Sequence, residues 1–534
     1  MIYKKLFLLL ISTSIFAQDI TLKWLEQQPQ SYAKDFYIWR YLNEDITPKE
    51  ANEALSQVRR LNNKIFYRYI NKANDPIFDD FKSCMKEKTL KLLNKDDYCI
   101  EAGLSMYDAT KLSRKDLDHI IKKVQKEYPH FAKKLQVLRS ALPFKTLIEQ
   151  DNKIFFEVFN QVGGNYRVAQ FNELFPVKTL QRLKADKWNF TTMIQLITSN
   201  PKMKKAQKSL LNFYDEELNY KTSFALAINA IKHKKKQLAL KYLQLSYDKA
   251  YYQMEKDNVS FWQYQLSNEK QYLERLSNSW DVNIYTLFAN HKLKQDPDNI
   301  VFQLDQLNKK SSFDTNNPFQ WHEVLEESKK IDDTQMKHYE NLFSSPETLG
   351  HLAFVKERFH KYKKSFFITP YEEYIGNLDK NRQALIYAIA RQESRFIPTS
   401  ISTSYAMGIM QIMPFLSRAL AKELKEPYKI DKQLEPKTNL RYANRHLNFL
   451  ERRLDNPLFI AYAYNGGIGF TKRTLKGGLF KREKYEPWLS MELIPYSETK
   501  KYGKKVLANY FIYQNYLNPT NKINFSKLIA SIKN

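Results

Sequence analysis

The chain has 534 residues, too long for one ordinary core, and a prior of roughly 100 to 200 residues per domain predicts two to four domains. Only 12 glycines and 19 prolines interrupt it, against 35 tyrosines and 34 phenylalanines, which excludes a disordered or loop-rich chain and favours long packed helices. The formal charge of +27, with 26 Lys and Arg against 11 Asp and Glu in residues 381–534, points to an acid-bearing partner, a solvated basic face being the plainer alternative.

At the N-terminus Lys4 and Lys5 precede an apolar run from Leu6 to Ile11, and Ser12, Thr13, Ser14, Ile15, Phe16 and Ala17 follow. This order predicts a secretory signal peptide over 1–17, too short to span a bilayer, with small Ala17 before the cleavage point at Gln18; a buried N-terminal helix is the alternative. No cysteine stands directly after that point, so a lipoprotein-type anchor is not expected, and no later stretch is apolar for the roughly 18 residues of a membrane span. Cys84 and Cys99 lie close together in a chain read as exported, so a disulfide is expected; closing so short a loop stabilises by about 3 kcal/mol in the chain-entropy account. Two isolated buried thiols are the alternative, and without nearby histidines the pair makes a poor metal site.

From about 18 to 290 the sequence reads as helix after helix with short polar breaks. Phe224, Ala227, Ile228 and Ile231 recur at three and four, as do Leu238, Leu240, Tyr242 and Leu243 beyond the basic turn His233 to Lys236. No clean period of 33 to 47 residues is apparent, so the region is expected to be a degenerate helical superhelix. Loop signals at Gln295 to Asn299 and Ser311 to Pro318 predict a linker or small domain over 291–371. Beyond it glycines become frequent and the chemistry-bearing motifs cluster, and 372–534 is read as a separate domain. Strand character is confined to short pieces, so the fold class is all-α.

The segment Gln383 to Phe396, QALIYAIARQESRF, is a helix candidate that must end near Pro398, because proline disfavours helix at the residue before it. Ile386, Ile389, Ala390 and Glu393 follow i, i+3, i+4, i+7, which puts the carboxylate on the apolar stripe and away from the Arg391 and Arg395 side. Desolvation there is expected to raise its pKa, as a proton donor near neutral pH requires. On helix spacing alone, a helix-end ion pair with an arginine is the simpler reading of Glu393.

Downstream come Ser402 to Pro414 (STSYAMGIMQIMP), Ala461 to Gly467 (AYAYNGG) and Met491 to Thr499 (MELIPYSET). In this order after an ES dipeptide they resemble the catalytic domain of the soluble lytic transglycosylases, a goose-lysozyme-like family, over about 381–516. The helical region, with Ser279 to Tyr285 (SWDVNIY) near its end, is similar to the family's N-terminal superhelix, which closes into a ring under a lysozyme-like, α-rich catalytic domain. The resemblance implies Glu393 as catalytic acid, Ser402 as a substrate contact, and Gly408, Met410, Gln411 and Met413 as the cleft segment, with Gln411 a sugar-binding amide. It implies Tyr464 as the hydroxyl that orients the catalytic carboxyl, Asn465 as a binding amide and Glu492 as an acidic residue lining the cleft. Departures are Tyr405 at a place often held by glycine, Gly466 for alanine and Lys500 for arginine.

The function implied is cleavage of the bond between MurNAc and GlcNAc in peptidoglycan, in the bacterial periplasm, by a monomer that uses no metal or organic cofactor. Peptidoglycan strands, with their lactyl and peptide carboxylates, are then the expected partner, nucleic acid is not, and the basic surface could associate with wall or membrane. A glycosidase that hydrolyses ordinarily uses two carboxylates. The single well-placed acid here fits the family's alternative, in which the MurNAc 6-hydroxyl closes a 1,6-anhydro ring. A hydrolase of the same fold and a non-catalytic envelope scaffold are the rival expectations.

Overall fold

The computed structural model describes residues 20–305 and 309–534. The expected signal peptide over 1–17 lies outside the described residues. Among those residues the fold is all-α, with two-residue strands Ile300–Val301 and Ser365–Phe366 pairing in parallel, and no helix is long and apolar enough to cross a membrane. The chain divides into two compact units, each gathered from separated parts of the sequence: residues up to Asn74 with Asn299–Arg453 and Ile512–Thr520, and Asp75–Asp298 with Leu454–Phe511 and Asn521–Asn534.

The first unit begins with four short helices, Leu22–Glu26, Tyr32–Tyr41, Pro48–Ser56 and Asn63–Ile70. Thr21, Ser31, Thr47 and Asn62 cap them by accepting from first-turn amides, which satisfies donors that a helix start leaves open. Their buried face, including Leu25, Phe36, Tyr37 and Ile65, shares one core with Phe319, Tyr405, Met407 and Leu434. This explains the departure at Tyr405. Its ring lies 5.1 Å from that of Trp39 and 5.7 Å from that of Phe36, and its hydroxyl accepts from Asn62 Nδ2 at 2.8 Å. A glycine there would leave that aromatic seat empty.

The segment read as a linker or small domain contributes a hydrophobic core that it shares with Ile397. Helices Pro318–Glu327, Asp333–Leu342 and Leu349–Phe359 bury Trp321, Val324, Met336, Tyr339, Phe343, Leu352 and Val355 around Ile397.

In the second unit Cys84, in the last turn of Pro76–Lys86, is bonded to Cys99 in Asp97–Gly103, with Cα atoms 4.9 Å apart. The hairpin of Tyr220–Lys232 and Lys236–Lys249 turns through Lys234 at φ +58°. Phe224, Ala227, Ile228 and Ile231 are buried as the stripe predicts. In the next helix the buried set is Ala239, Tyr242, Leu243, Leu245 and Ser246, with Leu238 and Leu240 only half-buried. A period absent from the sequence is present in the structure: helices start at Asn152, Lys187, Tyr220, Gln253 and Ile284, intervals of 35, 33, 33 and 31 residues. Repeat helices need only apolar faces in common, so residue identity conceals the spacing.

Candidate active site

Glu393 is the last residue of the helix Lys380–Glu393, which Asp379 caps by accepting from the Arg382 amide at 3.0 Å. Ile386, Ile389 and Ala390 are buried as expected, but so is every residue from Arg382 to Arg391, and the helix has no solvent-facing arginine side. Arg391 Nη2 lies 2.7 Å from Glu357 Oε1, its Nε donates to the Phe366 carbonyl at 3.0 Å, and its guanidinium carbon stands 3.9 Å from the Phe367 ring centre. Burial pushes the Arg391 guanidinium down to about 10, and Arg395 adds to the shift while Glu357 opposes it. Arg395 Nε faces Glu357 Oε2 at 3.3 Å. Glu357 thus faces both arginines that flank Glu393.

The helix stops three residues before the expected Phe396, and Ser394 is the reason. Its hydroxyl accepts from the Ile397 amide at 3.1 Å and donates to the Ile409 carbonyl at 2.8 Å, while Arg395 and Phe396 turn into left-handed backbone at φ +58° and +68°. The ES dipeptide thereby ties the half-buried Glu393 to the segment 400–413.

That segment is folded on itself by antiparallel bridges of Met407 to Ile401 and to Ile412. Ser402 Oγ accepts from the Ala406 amide at 2.9 Å and the Ser404 amide at 3.3 Å, so it organises its own turn. Gln411, at φ +47°, donates both amide hydrogens to backbone, to Ser400 O at 3.0 Å and Gly408 O at 2.9 Å, which leaves its side-chain carbonyl as the group a ligand could meet. Gly408 sits at φ +78°, and a Cβ there would come within 2.2 Å of the Gln433 carbonyl. Met410 is wholly buried and Met413 half-buried at the start of Pro414–Glu423. Gly408 and Met410 therefore shape the segment from within, where the resemblance implied a surface on the cleft.

Sequence reasoning missed Asn439, which is fully buried on the helix Pro436–Glu451. It accepts from the Met410 amide at 2.8 Å and donates to the Met407 carbonyl at 3.1 Å. The signal was available: Asn439 shares the i, i+4, i+8, i+11 stripe of Ala443, Leu447 and Leu450, the placement that singled out Glu393.

The remaining motif residues belong to the second unit. The helix Pro457–Gly466 carries half-buried Tyr464 and Asn465 in its last turn. Asn465 Oδ1 accepts from Thr499 Oγ1 at 2.7 Å and its Nδ2 donates to Glu498 Oε1 at 3.2 Å, so the AYAYNGG and SET segments meet. A Cβ on Gly466 would stand 2.9 Å from both Thr499 Oγ1 and the Phe470 ring, which accounts for glycine in place of alanine.

Glu492 is 5% exposed and does not open to solvent. Lys504 Nζ pairs with it at 2.6 Å, and Tyr285, from Ile284–Leu293, donates to it at 2.8 Å. Burial raises its carboxyl, but Lys504, Lys500 and the two hydrogen bonds outweigh burial and hold it below the ordinary carboxylate range. Lys504 is itself pushed down by burial, because a single carboxylate meets it and Lys501 repels it. Lys500, in the arginine position of the family, is lowered to about 8 by burial, against the attraction of Glu492. Glu492 is thus a buried node between helices, and its implied place on the cleft wall is not what the side chain shows. Among the described residues no group of His, Cys, Asp and Glu converges as a metal site.

Residues 371–486 match the family model described as "Transglycosylase SLT domain". Among named proteins, the chain is 36% identical over 138 residues to the soluble lytic murein transglycosylase of Salmonella typhimurium, covering 25% of this chain and 21% of that one. It is 37% identical over 129 residues to the protein of the same name from Escherichia coli K12, covering 24% and 20%. The chain thus spans about a fifth of the length of these relatives. A solved inactive variant of lytic transglycosylase Slt from Pseudomonas aeruginosa aligns with 94% of this chain and 86% of its own at 15% identity and a TM-score of 0.49.

Proposed function

We propose that the protein is a lytic transglycosylase of peptidoglycan, exported by its first 17 residues to the periplasm and acting there as a monomer. One observation carries the reading: Glu393, half-buried at the end of a helix buried from Arg382 to Arg391, is tied through Ser394 to the Gln411 segment, and this pair of elements falls inside the stretch that matches the SLT domain. The likeness to soluble lytic murein transglycosylases supports the substrate.

In the proposed mechanism Glu393, protonated, gives its proton to the oxygen linking MurNAc to GlcNAc as the C1–O bond breaks, and charge develops on the MurNAc ring. Glu393, now ionised, takes the proton from the MurNAc 6-hydroxyl while that oxygen bonds to C1, which closes the 1,6-anhydro ring without water. The Gln411 carbonyl accepts from an acetamido N–H and Ser402 meets a sugar hydroxyl, while the family resemblance gives Tyr464 the role of orienting hydroxyl and Asn465 that of a sugar-binding amide. Gly408, Met410 and Met413 shape the segment, and Glu492 acts indirectly by fixing the helices beside Asn465. The charge of +27 complements the carboxylates of the polymer.

The test is mass spectrometry of the products from purified peptidoglycan. Anhydro-muropeptides, one water lighter than lysozyme products, are expected. Reducing-end MurNAc would assign hydrolysis instead, and an absence of products that is unchanged in Glu393→Gln would assign a scaffold.

A further inference from the structure

Behind Glu393 stands the helix Leu349–Phe359, in the segment that reads as a linker. Two of its residues, Gly350 and Glu357, are seven apart and so share a face, and both touch the backbone or side chains that flank Glu393. A Cβ on Gly350 would come within 3.0 Å of the Phe396 carbonyl and 3.2 Å of the Arg395 carbonyl, so this helix packs directly on the left-handed turn. Two turns on, Glu357, 4% exposed, divides its carboxylate: Oε1 takes Arg391 Nη2 at 2.7 Å and the Phe366 amide at 3.2 Å, and Oε2 faces Arg395 Nε at 3.3 Å. Arg391 and Arg395 each lie two residues from Glu393. Tyr371 completes the frame by donating to the Phe396 carbonyl at 3.2 Å.

Left-handed backbone at two successive residues with side chains is costly and persists only where its surroundings impose it. A carboxyl that must protonate one oxygen and then deprotonate another tolerates little displacement, since a shift of about 1 Å can cost on the order of 100-fold in rate. We infer that Glu357 is a positioning residue for Glu393, acting through Arg391 and Arg395, and that the helix Leu349–Phe359 is the plate against which the catalytic turn is set. This rests on the catalytic reading of Glu393 given above. It also assigns Glu357 an electrostatic part, because it neutralises two guanidiniums that would otherwise favour the ionised form of Glu393. The Tyr513 hydroxyl also faces the arginines and donates to the Ile368 carbonyl at 2.9 Å.

The experiment measures kcat, KM and the pH profile of full-length protein on uncrosslinked glycan strands, with circular dichroism as the check on folding. Glu357→Gln is expected to lower kcat by about tenfold or more with KM little changed, and to move the alkaline limb of the profile to lower pH. Glu357→Asp should recover part of both. Arg395→Gln, at a more exposed side chain, serves if Glu357→Gln does not fold; it is expected to lower kcat and move the same limb to higher pH. Gly350→Ala should lower kcat and leave the limb in place.

Wild-type kcat and profile in these variants, or a fall in kcat with the limb unmoved in both charge variants, would overturn the inference while an inactive Glu393→Gln keeps the catalytic reading intact. Turnover retained by Glu393→Gln would remove that reading and this inference with it.

Discussion

Asn439 joins the two ends of one tight turn, with its side-chain oxygen on the Met410 amide at 2.8 Å and its side-chain nitrogen on the Met407 carbonyl at 3.1 Å. Both bonds are buried, and between them lies Gly408, whose φ of +78° and contact with Asn439 leave no room for a side chain. Asn439 therefore does for the Gln411 segment what a second strand would do in a sheet. It satisfies the backbone and fixes its path.

Asn439→Ala would remove the buried acceptor of the Met410 amide, at about 1 to 3 kcal/mol, while the Met407 carbonyl keeps the Ile412 amide at 3.0 Å. Loss of stability by that order in urea unfolding, with a larger fractional loss of substrate binding than of fold, is the expected outcome. Asn439→Asp keeps the acceptor but buries a carboxylate against the Met407 carbonyl and Gln433 Oε1, and at neutral pH should be at least as destabilising as alanine. Equal stability of all three proteins would show that the turn is held elsewhere.

Gly408→Ala tests the same turn from the other side. The added Cβ would come within 2.2 Å of the Gln433 carbonyl and 2.5 Å of Asn439 Nδ2, at a backbone conformation that alanine rarely adopts. Strain of this backbone kind costs about 1 to 3 kcal/mol before the clash is counted. A crystal structure of the variant should show the 407–410 backbone displaced from Asn439, and activity should fall with it. An unmoved turn would contradict the argument.

In the second unit, Glu492 and Lys504 are expected to behave as a buried pair. Removing one partner of such a pair costs about 3 to 5 kcal/mol because a charge is stranded, whereas removing both is cheaper. Lys504→Met should therefore be more destabilising than Lys504→Met with Glu492→Gln. Because the folded carboxyl is held below its ordinary value, its contribution is present above the unfolded carboxylate pKa and is lost as pH falls through the folded value. Thermal unfolding of wild type and the double variant from pH 7 to pH 3 reads this directly: wild type should lose the larger share of its Tm on the acid side.

Local pattern made part of this legible. The all-α class, the helix beneath Glu393 and the apolar stripe of Tyr220–Lys232 follow from a period of 3.6 within short windows. What was not legible depends on partners far along the chain. Glu492 reads as a cleft residue from its motif, yet its environment is set by Tyr285, 207 positions earlier, and Lys504, 12 positions later. Arg391 reads as solvent-facing because arginines generally are, and only Glu357 and the Phe367 ring make its burial tolerable. Tyr405 stood out as a departure with no local cause; its cause is the rings of Phe36 and Trp39 and the amide of Asn62, the last of these 343 positions upstream.

His351 gives the sharpest dependence on pH. It is wholly buried, with ring centres of Phe313, Trp321 and Phe343 at 5.0, 5.2 and 5.4 Å, and neither ring nitrogen has a hydrogen-bond partner among the described residues. Burial alone lowers its pKa to about 3, so the folded protein keeps it neutral while the unfolded chain takes up a proton near 6.5. Between those values the unfolded state binds the extra proton, so stability is full above about pH 6.5 and declines on acidification by about 1.4 kcal/mol per pH unit until the folded group titrates. At pH 5 the loss is about 2 kcal/mol. His351→Phe fills the aromatic seat without the nitrogens and should abolish this part of the decline. The measurement is urea unfolding of wild type and variant at pH 7 and pH 5. His322 and His360, which burial also lowers, contribute equally to both proteins and cancel in the difference. A wild-type loss no larger than that of the variant would mean that His351 is hydrated or protonated in the folded protein.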